Sequence, residues 1–345
     1  MATGHRERRI GMLRRLKAPS RTHIELPAGL PYDPLRDALY TRAELMHGWP
    51  DETLDERIQR HVLEHGFRAP PEAEALAQRL HDHSIDAALS ALLCAQPDWR
   101  VVGVMGSAAT PRSDPWYRRV AELARGLARA GYLVASGGGP GSMEAANLGA
   151  SLAGHDDSAL DEAIESLARV PSYEDDPRPY MAAAAEVAER VGPGGPSLAI
   201  PTWFYPGEPV GQFALHVAKY FANSIREDGL LSIALSGVVF APGRAGTVQE
   251  LFQDAAQNAY GIRGRSPMVL LGAEHYDADP SIYAVLREQA RRFGGYEQLV
   301  TLADDPEAVV AFLDEHRPAE VIDSLQQCTA ADALDFVRNE RVRAR

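Results

Sequence analysis

Lysine and cysteine are scarce in this sequence of 345 residues. The lysines are Lys17 and Lys219, and the cysteines are Cys94 and Cys328, which lie far apart and in no spacing typical of a metal site. We therefore expect a reduced, cytoplasmic protein. Chemistry that needs a Schiff-base lysine has only two candidate residues.

Long apolar runs are also absent. No stretch approaches the roughly 20 apolar residues that cross a membrane, so we expect no membrane partner. The N-terminal segment is rich in arginine but lacks the apolar centre of a signal peptide. We interpret it as a mobile tail, with a subunit contact as the alternative.

Positive charge is in deficit, since the formal net charge is −13 at pH 7. A phosphate backbone requires clustered cations, so nucleic acid is not expected as the main partner. The negative net charge does not exclude a small phosphate ligand, because one local site can be positive on an acidic protein. With 45% hydrophobic residues, the chain can bury a large core in one domain, with or without an accessory domain.

The stretch 237–250 combines an apolar run, a turn and a helix start. Residues 237–241 predict a buried strand, a Pro-Gly pair ends it, and the following helix carries Glu250 in its first turn. Unpaired N–H groups at a helix start attract anions such as phosphate. The stretch therefore predicts a phosphate site beside a carboxylate. The alternative is a strand–turn–helix corner with a glutamate favourably placed at the positive helix end.

Residues 100–153 alternate strands with helices, and each strand precedes a turn of glycine or other small residues. This βαβα pattern predicts an α/β fold with a doubly wound, mostly parallel, Rossmann-like sheet whose ligands lie at the carboxyl ends of the strands. A dinucleotide is not expected. The fingerprint G-x-G-x-x-G is absent after the first strand, and no acidic residue follows the glycines at 137–141 where a ribose partner belongs.

Three parts are predicted along the chain: a basic tail and N-terminal helical extension at 1–99, a nucleotide-binding catalytic domain at 100–317, and a C-terminal tail at 318–345. An acidic helical insertion at 154–196 interrupts the catalytic domain. It is either a tolerated surface insertion or a lid or subunit contact. In the extension, residues 81–83 (His-Asp-His) are interpreted as a solvated helix face, because such close neighbours on a helix do not face each other.

The second half predicts the remaining sheet. Strands are expected at 197–201, 268–272 and 299–302, and a long helix from Gln212 through Arg226 towards Leu235. The aromatic segment 203–207 follows the first of these strands at its carboxyl end. It is either the wall of a ring-binding site or packing.

Two segments resemble motifs of the Lonely Guy (LOG) family. Residues 136–145, SGGGPGSMEA, are similar to its first glycine-rich motif, and residues 242–250, PGRAGTVQE, to its second, P-G-G-x-G-T-x-x-E. The resemblance covers about 100–320 apart from the insertion. It implies hydrolysis of the N-glycosidic bond of a nucleoside 5′-monophosphate, AMP-like or of the cytokinin type, to free base and ribose 5-phosphate.

The resemblance also implies site residues. Glu250 falls on the family's catalytic carboxylate, and Arg226 most nearly on its catalytic arginine, with one residue more than usual between it and the loop. Arg244 stands where the motif has glycine, and it either adds a phosphate contact or crowds the loop. The residues expected to bind substrate or its phosphate are Gly106, Ser107, Gly138, Gly139, Gly141, Met143, Gly243, Arg244, Ala245, Gly246 and Thr247.

The residues themselves are consistent with this chemistry, independently of the resemblance to the LOG family. Glycosidic cleavage passes through an oxocarbenium-like state, which a carboxylate such as Glu250 stabilises while it accepts a proton from the attacking water. The phosphate, bound remotely, positions the sugar. Arg226 would hold the phosphate or orient Glu250. No metal or other cofactor is required, and no metal-ligand cluster is present in the sequence.

Two other functions remain open at this point. One is a non-catalytic nucleotide-binding module on the same fold, which Arg244 favours. The other is pyridoxal-phosphate decarboxylation, because LOG-like proteins have often carried a lysine decarboxylase label. Against it, Lys17 lies in the tail and Lys219 in a predicted helix.

The resemblance further implies a homodimer or higher homo-oligomer, since LOG-like proteins pair through helices beside the active site. The expected contact is an apolar face of the helix predicted at 212–235. Its residues are Leu215, Ala218, Ala222 and Ile225.

Overall fold

Seven strands form one sheet in the part of the chain that the computed structural model describes, which comprises residues 25–66, 69–174, 176–192, 194–261 and 264–318. In chain order, β1 to β7 are Arg100–Met105, Tyr132–Ser136, Ser197–Ala199, His216–Val217, Val238–Phe240, Met268–Leu271 and Val300–Ala303. Their order in the sheet is β4-β3-β2-β1-β5-β6-β7, and every neighbouring pair is parallel. The predicted α/β fold class is thereby confirmed.

Twelve helices accompany the sheet within the described residues. In chain order, α1 to α12 are Arg42–Leu45, Leu54–Glu64, Glu72–Ala95, Pro115–Arg129, Ser142–Ser151, Asp157–Leu167, Pro177–Val191, Asn223–Ile233, Ala245–Tyr260, Ala273–Tyr276, Ile282–Phe293 and Pro306–Glu315. The first three belong to the N-terminal extension, and α6 and α7 lie in the insertion.

The direction of winding reverses at β1. Strands β2 to β4 lie on one side of it and β5 to β7 on the other. The loops that leave the carboxyl ends of β1 and β5 therefore diverge and leave a crevice, and open α/β sheets bind their ligands at such switch points. The fold thus brings the turn after β1 next to the turn before α9.

Side-chain caps define the starts of α2 and α4. Asp114 accepts a hydrogen bond from the backbone N–H of Trp116 at the start of α4. Helix α2 begins with a capping box between Thr53 and Glu56. Thr53 occupies the cap position, and its reciprocal bonds with Glu56 satisfy donors of the first turn.

A hydrophobic core covers each face of the sheet. Because side chains alternate along a strand, Val101 of β1 points into one core and Val102 into the other. The insertion helices contribute buried apolar residues to the second core, namely Leu160, Ala163, Ile164, Leu167, Ala184 and Val187. The insertion therefore shares the second core with the rest of the domain.

The N-terminal extension packs on the opposite face. Ile58, Ile85 and Leu89 join the first core. In α3, His81 and Asp82 are fully buried. The prediction of a solvated face at 81–83 is wrong for these two residues, because both face inwards: His81 pairs with the hydroxyl of Tyr40, and Asp82 accepts hydrogen bonds from the backbone of residues 221–222.

The prediction of one long helix at 212–235 is wrong for the first half of that segment. Residues His216–Val217 form the edge strand β4 beside β3, and α8 begins at Asn223. The backbone of Val217 also exchanges hydrogen bonds with Tyr40 of the extension. Strand pairing on both sides thus overrides the helical spacing of the apolar residues. The residues expected to form the oligomer contact therefore do not share one helix face. Leu215 and Ala218 both precede α8, and Leu215 is exposed whereas Ala218 is buried.

Two predicted segments fall outside the described residues: the basic tail, up to residue 24, and the C-terminal tail, from residue 319. Within the described residues, no helix combines the length and the apolar character needed to cross a membrane.

Candidate functional site

A cavity of about 370 Å³ opens at the switch point of the sheet. The turn after β1, the glycine-rich turn after β2, the start of α8 and the start of α9 surround it. Its lining is Met105, Gly106, Ser107, Ala108, Ala109, Gly137, Met143, Tyr173, Glu174, Tyr205, Glu208, Arg226, Glu227, Arg244, Gly246, Thr247 and Glu250. Eight residues predicted from the sequence as catalytic or substrate-binding are therefore brought together here, among them Glu250 and Arg226.

The first glycine-rich turn shapes this cavity through its backbone. Gly141 has a φ of +66°, and an added Cβ would lie 2.4 Å from the carbonyl oxygen of Ser107. Gly138 has a φ of +73°, and its Cβ would lie 2.8 Å from that of Ala199. Only glycine fits either position. Neither residue lines the cavity, and neither does Gly139, so these predicted substrate contacts lie behind its wall.

The second motif places a helix start at the cavity. Arg244 is the N-cap of α9 and is exposed, with no side-chain capping bond. Gly246 lines the cavity, whereas Ala245 and Gly243 do not. A Cβ on Gly243 would lie 2.2 Å from the Oγ1 of Thr247, so glycine is needed for this turn to close. The first N–H groups of α9 and the guanidinium of Arg244 together favour an anion.

Glu250 follows one turn into α9, and Arg226 faces it from α8. Glu250 Oε1 lies 3.8 Å from Arg226 Nη1, and the two side chains are 15% and 9% exposed. Burial raises the pKa of Glu250 to about 7, while the Arg226 charge opposes this rise and the Glu227 charge adds to it. A carboxylate with such a pKa can exchange a proton near neutral pH.

Arg226 has one nitrogen that a neighbouring side chain holds and another that lacks a partner. Its Nη2 donates a hydrogen bond to Asn223 Oδ1 at 2.8 Å, one turn earlier on α8. Its Nε is buried without a hydrogen-bond partner among the described residues. A buried guanidinium N–H that lacks a partner suits an oxygen-rich ligand, because the bond it would form is charge-assisted.

The helix that carries Arg226 is anchored by the N-terminal extension. Asp82 of α3 accepts hydrogen bonds from the backbone N–H groups of Phe221 at 2.8 Å and Ala222 at 2.9 Å. Ala222 is the N-cap of α8. A carboxylate from a distant helix thus satisfies donors at the start of α8 and complements its dipole.

A buried ionic network fixes the glycine-rich turn to the insertion. Arg112 binds Glu144 through two hydrogen bonds of 2.7 Å, and both side chains are buried. Tyr180 of α7 also donates to Glu144, at 2.9 Å, and its ring lies under the Arg112 guanidinium. Tyr173 packs edge-on against Tyr180, with ring centroids 5.9 Å apart. The insertion thereby contributes Tyr173 to the cavity.

Several lining residues were missed by the sequence argument. Tyr173 and Glu174 come from the insertion, and Glu208 and Glu227 come from segments whose path across the sheet the sequence did not reveal. The aromatic segment 203–207 was expected either to form the wall of a ring-binding site or to pack in the core, and its residues do both. Tyr205 lines the cavity, whereas Trp203 is buried and donates its indole N–H to Asp55 at 2.8 Å.

The described residues offer little for a metal or a Schiff base. No group of three or more His, Cys, Asp or Glu side chains among them is arranged to hold a metal ion. Lys219 lies outside the cavity lining, is buried and pairs with Asp55 at 2.7 Å. It does not lie in a helix, in contrast to the prediction. An amine buried in such an ion pair is unsuited to attack a carbonyl cofactor.

Comparison with known proteins gives a family match over part of the chain. Residues 99–155, which include β1, β2 and the first glycine-rich motif, match the family model described as the SLOG cluster4 family. The SLOG superfamily includes the LOG family. The resemblance to LOG proteins is therefore confirmed at superfamily level. No curated protein matches the sequence.

Solved structures with a similar fold include the structural-genomics target TM1055, with 19% identity, 63% of this chain and 99% of that chain covered, and a TM-score of 0.37. Another is the molybdenum cofactor carrier protein from Chlamydomonas reinhardtii, with 17% identity, coverages of 62% and 96%, and a TM-score of 0.40. A third is the molybdenum cofactor binding protein from Rippkaea orientalis, with 16% identity, coverages of 62% and 95%, and a TM-score of 0.39. At these values the likeness carries no argument about function.

Proposed function

We propose that this SLOG-like protein hydrolyses the N-glycosidic bond of a nucleoside 5′-monophosphate, AMP or a related nucleotide, to free base and ribose 5-phosphate. The observation that carries the proposal is one cavity in which a helix start with Arg244 and Gly246 adjoins the pair of Glu250 and Arg226. An anion site next to a buried carboxylate suits a substrate that carries both a phosphate group and a bond for the carboxylate to act on.

In this proposal the phosphate binds at the start of α9. Its N–H groups, the Thr247 hydroxyl and Arg244 supply the donors, and the energy of this remote contact positions the sugar. The anomeric carbon then lies near Glu250. Arg226 holds Glu250 in place and offers its Nε to a ribose or phosphate oxygen.

The bond between the anomeric carbon and the base nitrogen breaks, and its electron pair leaves with the base. Ionised Glu250 stabilises the positive charge that develops on the sugar. It also accepts the proton of the water that attacks the anomeric carbon. The base takes up the proton that Glu250 received from the water, which returns Glu250 to its ionised form, and the products are the free base and ribose 5-phosphate.

The domain boundaries stay part of this proposal. Residues 100–317 would form the catalytic domain, and the extension would support it from one face of the sheet, as Asp82 does for α8. A homo-oligomer, a cytoplasmic location and freedom from cofactors likewise remain predictions.

One observation favours a binding module instead. Arg244 replaces a motif glycine at the N-cap of α9, and its side chain stands beside the expected phosphate position. If it occupies that position, nucleotides bind in another orientation and are not cleaved.

The test is a panel of nucleoside 5′-monophosphates incubated with the full chain. Free base is measured by chromatography and ribose 5-phosphate by a coupled assay. Equal amounts of both products from at least one nucleotide support the proposal. Nucleotide binding without either product would establish the binding module in its place.

A further inference from the structure

Glu208 has no role in the mechanism above, yet it lines the same cavity. It lies in the loop after β3, and its Oε1 lies 3.5 Å from where a Cβ on Gly139 would be. The carboxylate therefore faces the first glycine-rich turn. It is half-buried, and within the described part of the chain no side chain or backbone N–H donates to it.

The other carboxylates of the cavity differ in this respect. Glu250 faces Arg226 at 3.8 Å. Glu227 accepts hydrogen bonds from Asn223 at 2.8 Å and from Gln249 at 3.1 Å. Glu174 is exposed to solvent. Glu208 combines partial burial with the lack of a donor from the described protein, so its oxygens are available to a donor on a ligand at this wall of the cavity.

Two tyrosines of the lining are close to Glu208. Burial raises the pKa of Tyr173, and the charge of Glu208 raises it further. Burial also raises the pKa of Tyr205, which the charge of Arg226 lowers and the charges of Glu227 and Glu208 raise, and the Tyr205 hydroxyl accepts a hydrogen bond from Asn223 at 3.2 Å. This part of the cavity therefore joins two aromatic rings to one hydrogen-bond acceptor, which suits a flat heterocycle with an N–H donor at its edge.

The position of this group relative to Glu250 fits a nucleotide. Burial raises the pKa of Glu208, and the nearby charge of Arg226 lowers it, as it does for Glu250. A Cβ on Gly137 would lie 3.5 Å from Arg226 Nη1, and a Cβ on Gly139 would lie 3.5 Å from Glu208 Oε1, so both side chains reach the first glycine-rich turn. The order helix start, Glu250, Arg226, Glu208 matches the order phosphate, sugar, base.

On the basis of the proposed function, we propose that Glu208 contacts the base and selects nucleotides whose base carries an exocyclic amine. A site built around a hydrogen-bond acceptor discriminates strongly against an analogue without the donor, because the buried acceptor is then left unpaired. Glu208 is thus a specificity-determining residue, separate from the carboxylate that acts on the sugar.

The experiment compares AMP with purine riboside 5′-monophosphate, which lacks only the 6-amino group. The two nucleotides are assayed with the wild-type chain, Glu208→Ala and Glu208→Gln. We expect Glu208→Ala to lower kcat/KM for AMP at least about tenfold and that for the analogue less than about threefold. Glu208→Gln keeps an acceptor and should restore part of the difference. Glu165→Ala, which removes an exposed carboxylate of α6 outside the cavity, is the control.

An equal loss with both nucleotides would overturn the proposal. So would a Glu208→Ala effect that disappears with dAMP, because the contact would then be with the 2′-hydroxyl. If the wild-type chain cleaves neither nucleotide, the proposed hydrolysis fails separately. Calorimetric titration of the same pair then decides on Glu208: an amine-dependent difference in Kd that Glu208→Ala removes supports it, and its absence contradicts it.

Discussion

Arg226 Nη1 lies 3.8 Å from Glu250 Oε1, within the range of charge attraction but beyond hydrogen-bond distance. Glu250 is enclosed enough for burial to raise its pKa to about 7, and Arg226 limits the rise. The pair therefore holds a carboxylate whose two protonation states are both populated at neutral pH. This relationship sets the pH dependence expected of the proposed hydrolysis.

If ionised Glu250 is required, kcat/KM should increase as the pH rises through about 7 and level off above it. The sign follows from the raised pKa, because protonation removes the active form as the pH falls. A nucleotide phosphate also ionises near pH 6, so the Arg226→Ala variant is needed for assignment. Loss of the arginine should shift the rise in kcat/KM to higher pH, because the Arg226 charge lowers the pKa of Glu250. A profile that stays flat from pH 6 to 8 would contradict the role of Glu250.

Asp82 should act on catalysis through α8. Substitution of Asp82 by Ala leaves the N–H groups of Phe221 and Ala222 without their acceptor and loosens the helix that carries Arg226. We expect kcat to fall about tenfold with a smaller change in KM, and Tm to fall by several degrees. Asp86→Ala is the matched control, since it removes a 2.9 Å bond from Tyr220 in the same segment but caps no helix. The same loss of kcat in both variants would argue for general destabilisation.

Arg244 and the start of α9 should determine the dependence on the phosphate. Arg244→Ala should raise KM for AMP about tenfold with little change in kcat, because it removes a binding contact remote from the bond that breaks. Adenosine should be a much poorer substrate than AMP. Arg244→Gly restores the motif residue and separates the alternatives: tighter AMP binding would show that the arginine crowds the loop. Equal turnover of adenosine and AMP would exclude a phosphate site here.

Asp254 should make the free energy of unfolding depend on pH. It is buried in α9, its Oδ2 has no hydrogen-bond partner among the described residues, and burial raises its pKa to about 8. Between about pH 4 and 8 the folded state holds a proton that the unfolded state has released, so stability declines as the pH rises, by at most about 1.4 kcal/mol per unit. Asp254→Asn should remove this slope. Thermal unfolding at pH 5 and pH 8 measures it, and an unchanged Tm difference between the two pH values would refute the assignment.

The sequence was sufficient for what depends on local signals. The apolar runs of β1 and β5 and the turn before Glu250 lie where short-range patterns place them. The carboxylate and the arginine meet because the order of strands brings α8 and α9 to one edge, and that order follows from a recognised βαβ arrangement.

Features that depend on contacts between residues distant in the sequence could not be predicted from local patterns. Residues 216–222 have helical spacing, but pairing with β3 and with Tyr40 makes part of them an edge strand. Asp82 lies on an ordinary helix by sequence, and only the docking of α3 shows that it serves α8. Glu208 has no local motif, because its significance arises from the cavity around it.

The central claim is that Glu250 acts on the glycosidic bond of a nucleotide held by its phosphate. Release of ribose 5-phosphate from AMP by the wild-type chain and by Glu250→Gln, with Kd measured for both by calorimetry, tests it most directly. The account predicts release by the wild type, a loss of roughly a hundredfold or more in kcat for the variant, and a Kd within about threefold. Near wild-type release by Glu250→Gln, or AMP binding by the wild type without any release, would contradict it.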